Sequence, residues 1–128
     1  MKRAARVAVP VAWMLVLWML SSIPAKPDQT MAGWYIPTVV QKAMHVAAYG
    51  VLGAAWAWVF GLDRLTLTAG GCVLGLAIAY AAVDEIHQTF VPGRYGSARD
   101  VALDAAAALL AVVVVRAVLR RRSTPVGS

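Results

Sequence analysis

The sequence predicts an all-α fold, an integral membrane bundle of four transmembrane helices with both termini in the cytoplasm. Composition is the first reason: 61% of the 128 residues are hydrophobic and 14% are charged, with a mean hydropathy of +0.69. Soluble domains are less apolar. Continuity is the second, since the apolar runs lack the alternating polarity, about ten residues at a time, of membrane β-strands. The third is a concentration of basic residues at the ends of these runs.

The first run, Val7 to Ile23, gives a helix over about 7–23. Lys2, Arg3 and Arg6 before it, and Ser21-Ser22-Ile23-Pro24-Ala25 after it, also have the shape of a signal peptide. Trp13 and Trp18 make the run long for a signal core, so a retained anchor is expected. Ala43 to Leu62 and Leu65 to Val83 each match the roughly 20 residues of helix that cross a hydrocarbon core of about 30 Å. They predict helices over 43–62 and, carried through the polar end of the third run, 65–90. The fourth run, Val101 to Val115, reaches full length if it starts near Ala98 and Arg116 snorkels to the head groups, which gives 98–119. Residues 1–122 then form one transmembrane domain, and the tail 123–128 is expected to be disordered.

Basic residues near helix ends favour the cytoplasm. With both termini inside, Lys2, Arg3, Arg6, Arg64, Arg116, Arg120, Arg121 and Arg122 lie inside, eight against the four of Lys26, Lys42, Arg94 and Arg99 outside. That topology accounts for the net charge of +6 without a nucleic-acid partner. Membrane lipids are the expected partners, with Arg120 to Arg122 facing anionic head groups. Trp34 and Tyr35 fit an outer interface, and Trp56 and Trp58 near Phe60 an inner belt. Asp63 and Arg64 read as a short cytoplasmic turn, and Lys26 and Asp28 as solvated loop residues. Cys72 stands alone, so no disulfide framework exists.

The same topology gathers polar residues at the outer ends of three helices. Lys42, His45 and Tyr49 share a face at i, i+3 and i+7; Asp84, His87 and Gln88 lie along one side of the third helix, with Glu85 one step round. Asp100 and Asp104 stack at i, i+4. Between them Val91-Pro92-Gly93-Arg94-Tyr95-Gly96-Ser97 reads as a turn that folds Arg94 or Arg99 over the carboxylates, with Ser97 as N-cap. Charges in lipid are costly unless they face inward and pair. Gly71, Gly75 and Ala79, and Gly50 and Ala54, form rows of small residues that suit close helix packing.

Lys42-x-x-His45-x-x-x-Tyr49-x-x-x-Gly53, with Asp84-Glu85-x-x-Gln88-x-Phe90-Val91-Pro92-Gly93-Arg94-x-x-Ser97-x-x-Asp100, resembles the VanZ-like family of small bacterial membrane proteins. Ser21-Ser22-x-Pro24 extends the resemblance to the first helix. The family's namesake is linked to resistance to the glycopeptide teicoplanin, and the resemblance implies no settled biochemical activity. This chain departs from the pattern in the fourth helix, carrying Asp104 and Ala107 where the family usually has Asn and Gly.

Three readings of the cluster follow. In one it is a structural network that holds helices in register. In another, His45, Asp84, Glu85, Gln88 and Asp100 are candidate catalytic groups for acid–base chemistry on an envelope substrate in the outer leaflet. Lys42, Tyr49, Arg94, Arg99 and Asp104 then bind it, the cations taking an anionic head group of a lipid-linked precursor. In the third the site binds a lipid or glycopeptide, or carries protons, without bond making. Asp84, Glu85, Asp100 and Asp104 offer oxygen ligands to a divalent cation. The same acids have Lys42 and Arg94 as partners, so no metal or other cofactor is expected. His87 reads as structural, and a homodimer or another partner is expected because four short helices leave little room for a complete core.

Overall fold

The computed structural model describes residues 2–24, 37–61 and 66–123. Lys26, Asp28, Trp34, Tyr35, Asp63, Arg64 and residues 124–128 of the tail lie outside the described residues. The described chain forms four helices and no strand: α1 (Arg3–Ser21), α2 (Thr38–Phe60), α3 (Leu67–Gln88) and α4 (Ala98–Ser123). All four are long and apolar enough to cross a membrane.

Local chemistry sets the helix ends. Helix α1 begins four residues before the apolar run, because Arg3 and Arg6 are good helix formers whose backbone continues the helix. It ends where the Ser22 N–H turns to the carbonyls of Trp18 and Met19, two residues before Pro24 stops further winding. Helix α2 starts at Thr38, directly after Pro37, whose fixed φ suits a helix entry, and so earlier than its apolar run. The Thr66 side chain accepts the Ala69 N–H at 3.1 Å, so α3 opens at Leu67 rather than 65. It closes at Gln88, two residues short of the expected limit, where the backbone turns through Gly93 at φ 76. Helix α4 runs past Arg116 and Arg120 to Ser123. Its most apolar 18-residue window has the highest mean hydropathy of the four, 2.3.

Helix α2 is the hub, packed most extensively on α4, while α3 also packs on α4 and α1 lies against α2 and α3. Leu17, Ala48, Tyr49, Leu52 and Ala81 fill the junction of α1, α2 and α3; Ala57, Val73 and Val112 fill the junction of α2, α3 and α4 nearer the opposite end. Leu15, Met19, Leu67, Leu110 and other large apolar side chains point outward, as helices surrounded by lipid require. The Trp13 indole donates to the Ala48 carbonyl at 2.8 Å, and the Tyr80 hydroxyl donates to the Met14 carbonyl, tying α1 to α2 and α3. Arg6 lies 5.3 Å from the ring centre of Trp58, a cation–π contact at the end of the bundle that carries the start of α1.

The rows of small residues divide. Gly71, Gly75 and Ala79 are exposed, and a Cβ added at Gly71 or Gly75 meets nothing within 4 Å. This row faces out of the bundle, because α3 turns Val73, Ala77 and Ala81 toward its neighbours instead. The close approach is at Gly53, where an added Cβ falls 2.5 Å from the Ala108 carbonyl oxygen and 2.8 Å from its Cα.

Candidate functional site

The N-terminal half of α2, the C-terminal end of α3, the 89–97 turn and the first turns of α4 enclose a cavity of about 210 Å³. Its wall holds seven of the ten candidate residues: Lys42, His45, Glu85, Gln88, Arg94, Asp100 and Asp104. Spacing explains the convergence, since Lys42 and His45 lie on one face of α2 and Asp100 and Asp104 on one face of α4. Glu85, Gln88, His45 and Asp104 are buried and form the floor. The rim is more open, with the Lys42 side chain 57% exposed and Tyr95 beside it.

Asp84 and Tyr49 sit behind this wall in the core. The Asp84 carboxylate, 1% exposed, accepts hydrogen bonds from the Ser21 hydroxyl, the Tyr49 hydroxyl at 3.4 Å and Gln88 Nε2 at 3.3 Å. His45 Nδ1 lies 3.5 Å from its Oδ2. Four side chains from three helices therefore converge on one carboxylate. His45 Nε2, on the other edge of the ring, is buried without a hydrogen-bond partner. An acid placed at Nδ1 favours the tautomer with its proton there, leaving Nε2 free to accept one.

Glu85 points away from its neighbour, because consecutive helical residues are about 100° apart. Its Oε1 accepts the Ser97 N–H at 2.6 Å, while the Ser97 carbonyl accepts from Asp100 and Val101. Glu85 thus anchors the entry to α4, a part expected of Ser97 alone. An intramolecular hydrogen bond contributes about 0.5–1.5 kcal/mol. Glu85→Ala is accordingly expected to lower unfolding stability in micelles by about that amount, and wild-type stability would show the bond to be dispensable.

The cations behave differently from each other. Lys42 Nζ sits 3.3 Å from Asp100 Oδ1, an exposed pair worth at most about 1 kcal/mol and hence easily redirected to a ligand. Arg94 Nη1 donates to the Ser21 carbonyl at 2.6 Å, locking the 89–97 turn onto the end of α1. Burial pulls the Arg94 guanidinium below its ordinary pKa while the carboxylates of Asp84, Glu85 and Asp100 pull it back; it remains charged. Arg99 does not join the site. It is exposed on α4, one position before Asp100 and so turned to a different face of the helix. His87 also lies outside the cavity, stacked at 3.8 Å on Trp18 and 2.9 Å from the Ser22 hydroxyl.

Ser21 and Gln41 were not among the sequence candidates. Ser21 was legible as a helix-ending residue and as part of the Ser21-Ser22-x-Pro24 element, yet it also links α1 to Asp84 and, through its carbonyl, to Arg94. Gln41 lines the cavity, and its one available signal was its place next to Lys42, one turn before His45. Its Nε2 donates to the carbonyls of Ile23 at 3.4 Å and Pro24 at 3.1 Å, while Oε1 is buried and unpartnered. Among the described residues, no three His, Cys, Asp or Glu side chains cluster so as to hold a metal ion.

The profile of the VanZ/LLP1 family matches residues 6–120, which takes in most of α1, the site and nearly all of α4. The chain belongs to the VanZ/LLP1 family. The comparison with curated proteins and the comparison with solved structures each returned no match. Within this VanZ/LLP1 protein Lys42, His45, Glu85, Gln88, Arg94 and Asp100 of the two quoted motifs line one cavity, with Tyr49 and Asp84 behind it.

Proposed function

We propose that this VanZ/LLP1 protein is a multipass protein of the bacterial cell membrane whose pocket opens at the extracytoplasmic face. There it acts, by acid–base chemistry, on an envelope substrate carrying an anionic group, such as a lipid-linked precursor exposed in the outer leaflet. The connection to glycopeptide susceptibility comes through the family's namesake. One observation carries the reading: His45 lines the cavity with its Nε2 buried and unpartnered, while Asp84 lies at its other nitrogen. That is the arrangement of a general base oriented by a carboxylate. Lys42 and Arg94 at the rim supply the charge to hold a phosphate-like group. The orientation rests on the opposite end of the bundle, where Arg3, Arg6, Arg116 and Arg120 to Arg122 gather.

A structural reading is favoured by a different observation, the burial of Asp84 behind the wall among bonds from α1, α2 and α3. Alanine substitution of Lys42, His45, Glu85, Gln88, Arg94 and Asp100 separates the two readings, scored for membrane abundance, glycopeptide susceptibility and envelope lipids by mass spectrometry. Acid–base chemistry predicts that His45→Ala keeps normal abundance, loses the change in susceptibility and alters at least one lipid species. Unchanged lipids with full susceptibility change in His45→Ala reject it. A loss of phenotype that tracks loss of abundance throughout the series supports the structural reading.

A further inference from the structure

We propose that the floor of the pocket receives a primary ammonium group carried by a membrane lipid. This deepens the reading above and rests on the pocket being where the substrate sits. The argument starts from Gln41, only 3% exposed. Its amide nitrogen is committed to the carbonyls of Ile23 and Pro24, which fixes the orientation of the amide. The oxygen faces away from those carbonyls and lacks a donor. His45, 6% exposed, adds an unpartnered Nε2, an acceptor when its proton sits on the Asp84 side.

Across the cavity, Glu85 comes from α3 and Asp104 from α4. Ser97 occupies one Glu85 oxygen, and Asp104 is 4% exposed. Three helices thus place acceptors around one space. The wall carries three carboxyl groups, those of Glu85, Asp100 and Asp104, beside two cations, Lys42 and Arg94. A primary ammonium brings three N–H donors, a positive charge and no acceptor, which complements such a floor. A trimethylated ammonium has no N–H to give, and a hydroxyl brings no charge. Lys42 and Arg94 at the rim suit the phosphate of the same head group.

The lipid source follows from what borders the cavity. Val46 on α2 and Leu103 on α4 line it and are 38% and 46% exposed on the apolar outside of the bundle, so the cavity is continuous with the surface on which acyl chains lie.

The test is binding to the purified full chain in detergent, read by native mass spectrometry, with phospholipids of identical acyl chains. The head groups compared are ethanolamine, choline and glycerol, alongside free phosphoethanolamine. The ethanolamine lipid is expected to bind about tenfold tighter than the other two lipids, because they leave buried acceptors unpaired. Gln41→Leu and Asp104→Asn, each with wild-type helical circular dichroism, are expected to abolish that preference. Equal binding of all three lipids, or a preference untouched by both variants, overturns the proposal. Free phosphoethanolamine binding as tightly as the lipid overturns the lipid source. Failure here with His45→Ala still losing its phenotype removes the ammonium and leaves the proposed function standing. A neutral His45→Ala removes that function instead.

Discussion

Replacing Gly53 by leucine is expected to drive α2 away from α4 and strip the membrane of folded protein. The added Cβ alone would lie 2.5 Å from the Ala108 carbonyl oxygen and 2.9 Å from its carbonyl carbon. Those atoms are backbone, so no side-chain rotation relieves the clash, and α2 against α4 is the most extensive packing in the bundle. Overpacking a tight interior costs about 1–3 kcal/mol, which sets the scale for Gly53→Ala, with Gly53→Leu beyond it. The matched control is Gly71→Ala, where no atom lies within 4 Å and alanine favours the helix by up to about 1 kcal/mol. Membrane abundance and thermal unfolding in detergent check both. Normal abundance of Gly53→Leu would mean that the two helices are farther apart than the Gly53–Ala108 approach requires, while a defect at Gly71 would indicate a protein partner on the outer face of α3.

The second large effect is expected at Asp84. Asp84→Ala removes the acceptor for Ser21, Tyr49 and Gln88 and the acidic neighbour of His45. Polar side-chain bonds in membranes average about 0.6 kcal/mol each, so the three together amount to about 2 kcal/mol. The functional consequence is larger than the loss of stability: without the carboxylate, His45 has nothing to fix its tautomer or the direction of Nε2. Asp84→Asn preserves shape and one acceptor oxygen, so it is expected to accumulate near normally yet show none of the wild-type phenotype. An Asp84→Asn protein with full phenotype would show that the negative charge behind His45 does no chemical work.

The fold was legible because lipid imposes a simple rule on sequence: a run of about 20 apolar residues has few alternatives to a helix. The limits of the helices were less so. Arg3 and Arg120 lie outside the apolar runs yet inside α1 and α4, since hydropathy reports the depth of the lipid and not where backbone hydrogen bonding stops. Most of the site was legible as well, through the i, i+3 and i+4 spacing of Lys42 with His45 and of Asp100 with Asp104. Spacing within one helix does not say which neighbour a face meets. That is why the Gly71 and Gly75 row pointed to packing it does not make, and why Asp84 and Glu85, adjacent in sequence, serve different neighbours. Arg99 illustrates the same limit, since a flexible turn leaves open which of two arginines folds inward until the geometry of Gly93 and the Ser21 carbonyl selects Arg94. Ser21 was hidden because a serine at a helix end has a sufficient local role, and only the arrival of α3 beside it gives it another.

The central claim is that the polar ends of α2, α3 and α4 meet on the side of the membrane away from the cytoplasm. In a Cys72→Ala background, Lys42→Cys and Tyr95→Cys place thiols at exposed positions on the rim, and Arg121→Cys places one near the far end of α4. A membrane-impermeant maleimide applied to intact cells is predicted to label positions 42 and 95 and to reach 121 only after the membrane is opened. Labelling of 121 in intact cells while 42 and 95 stay protected, or labelling that separates 42 from 95, would contradict the account.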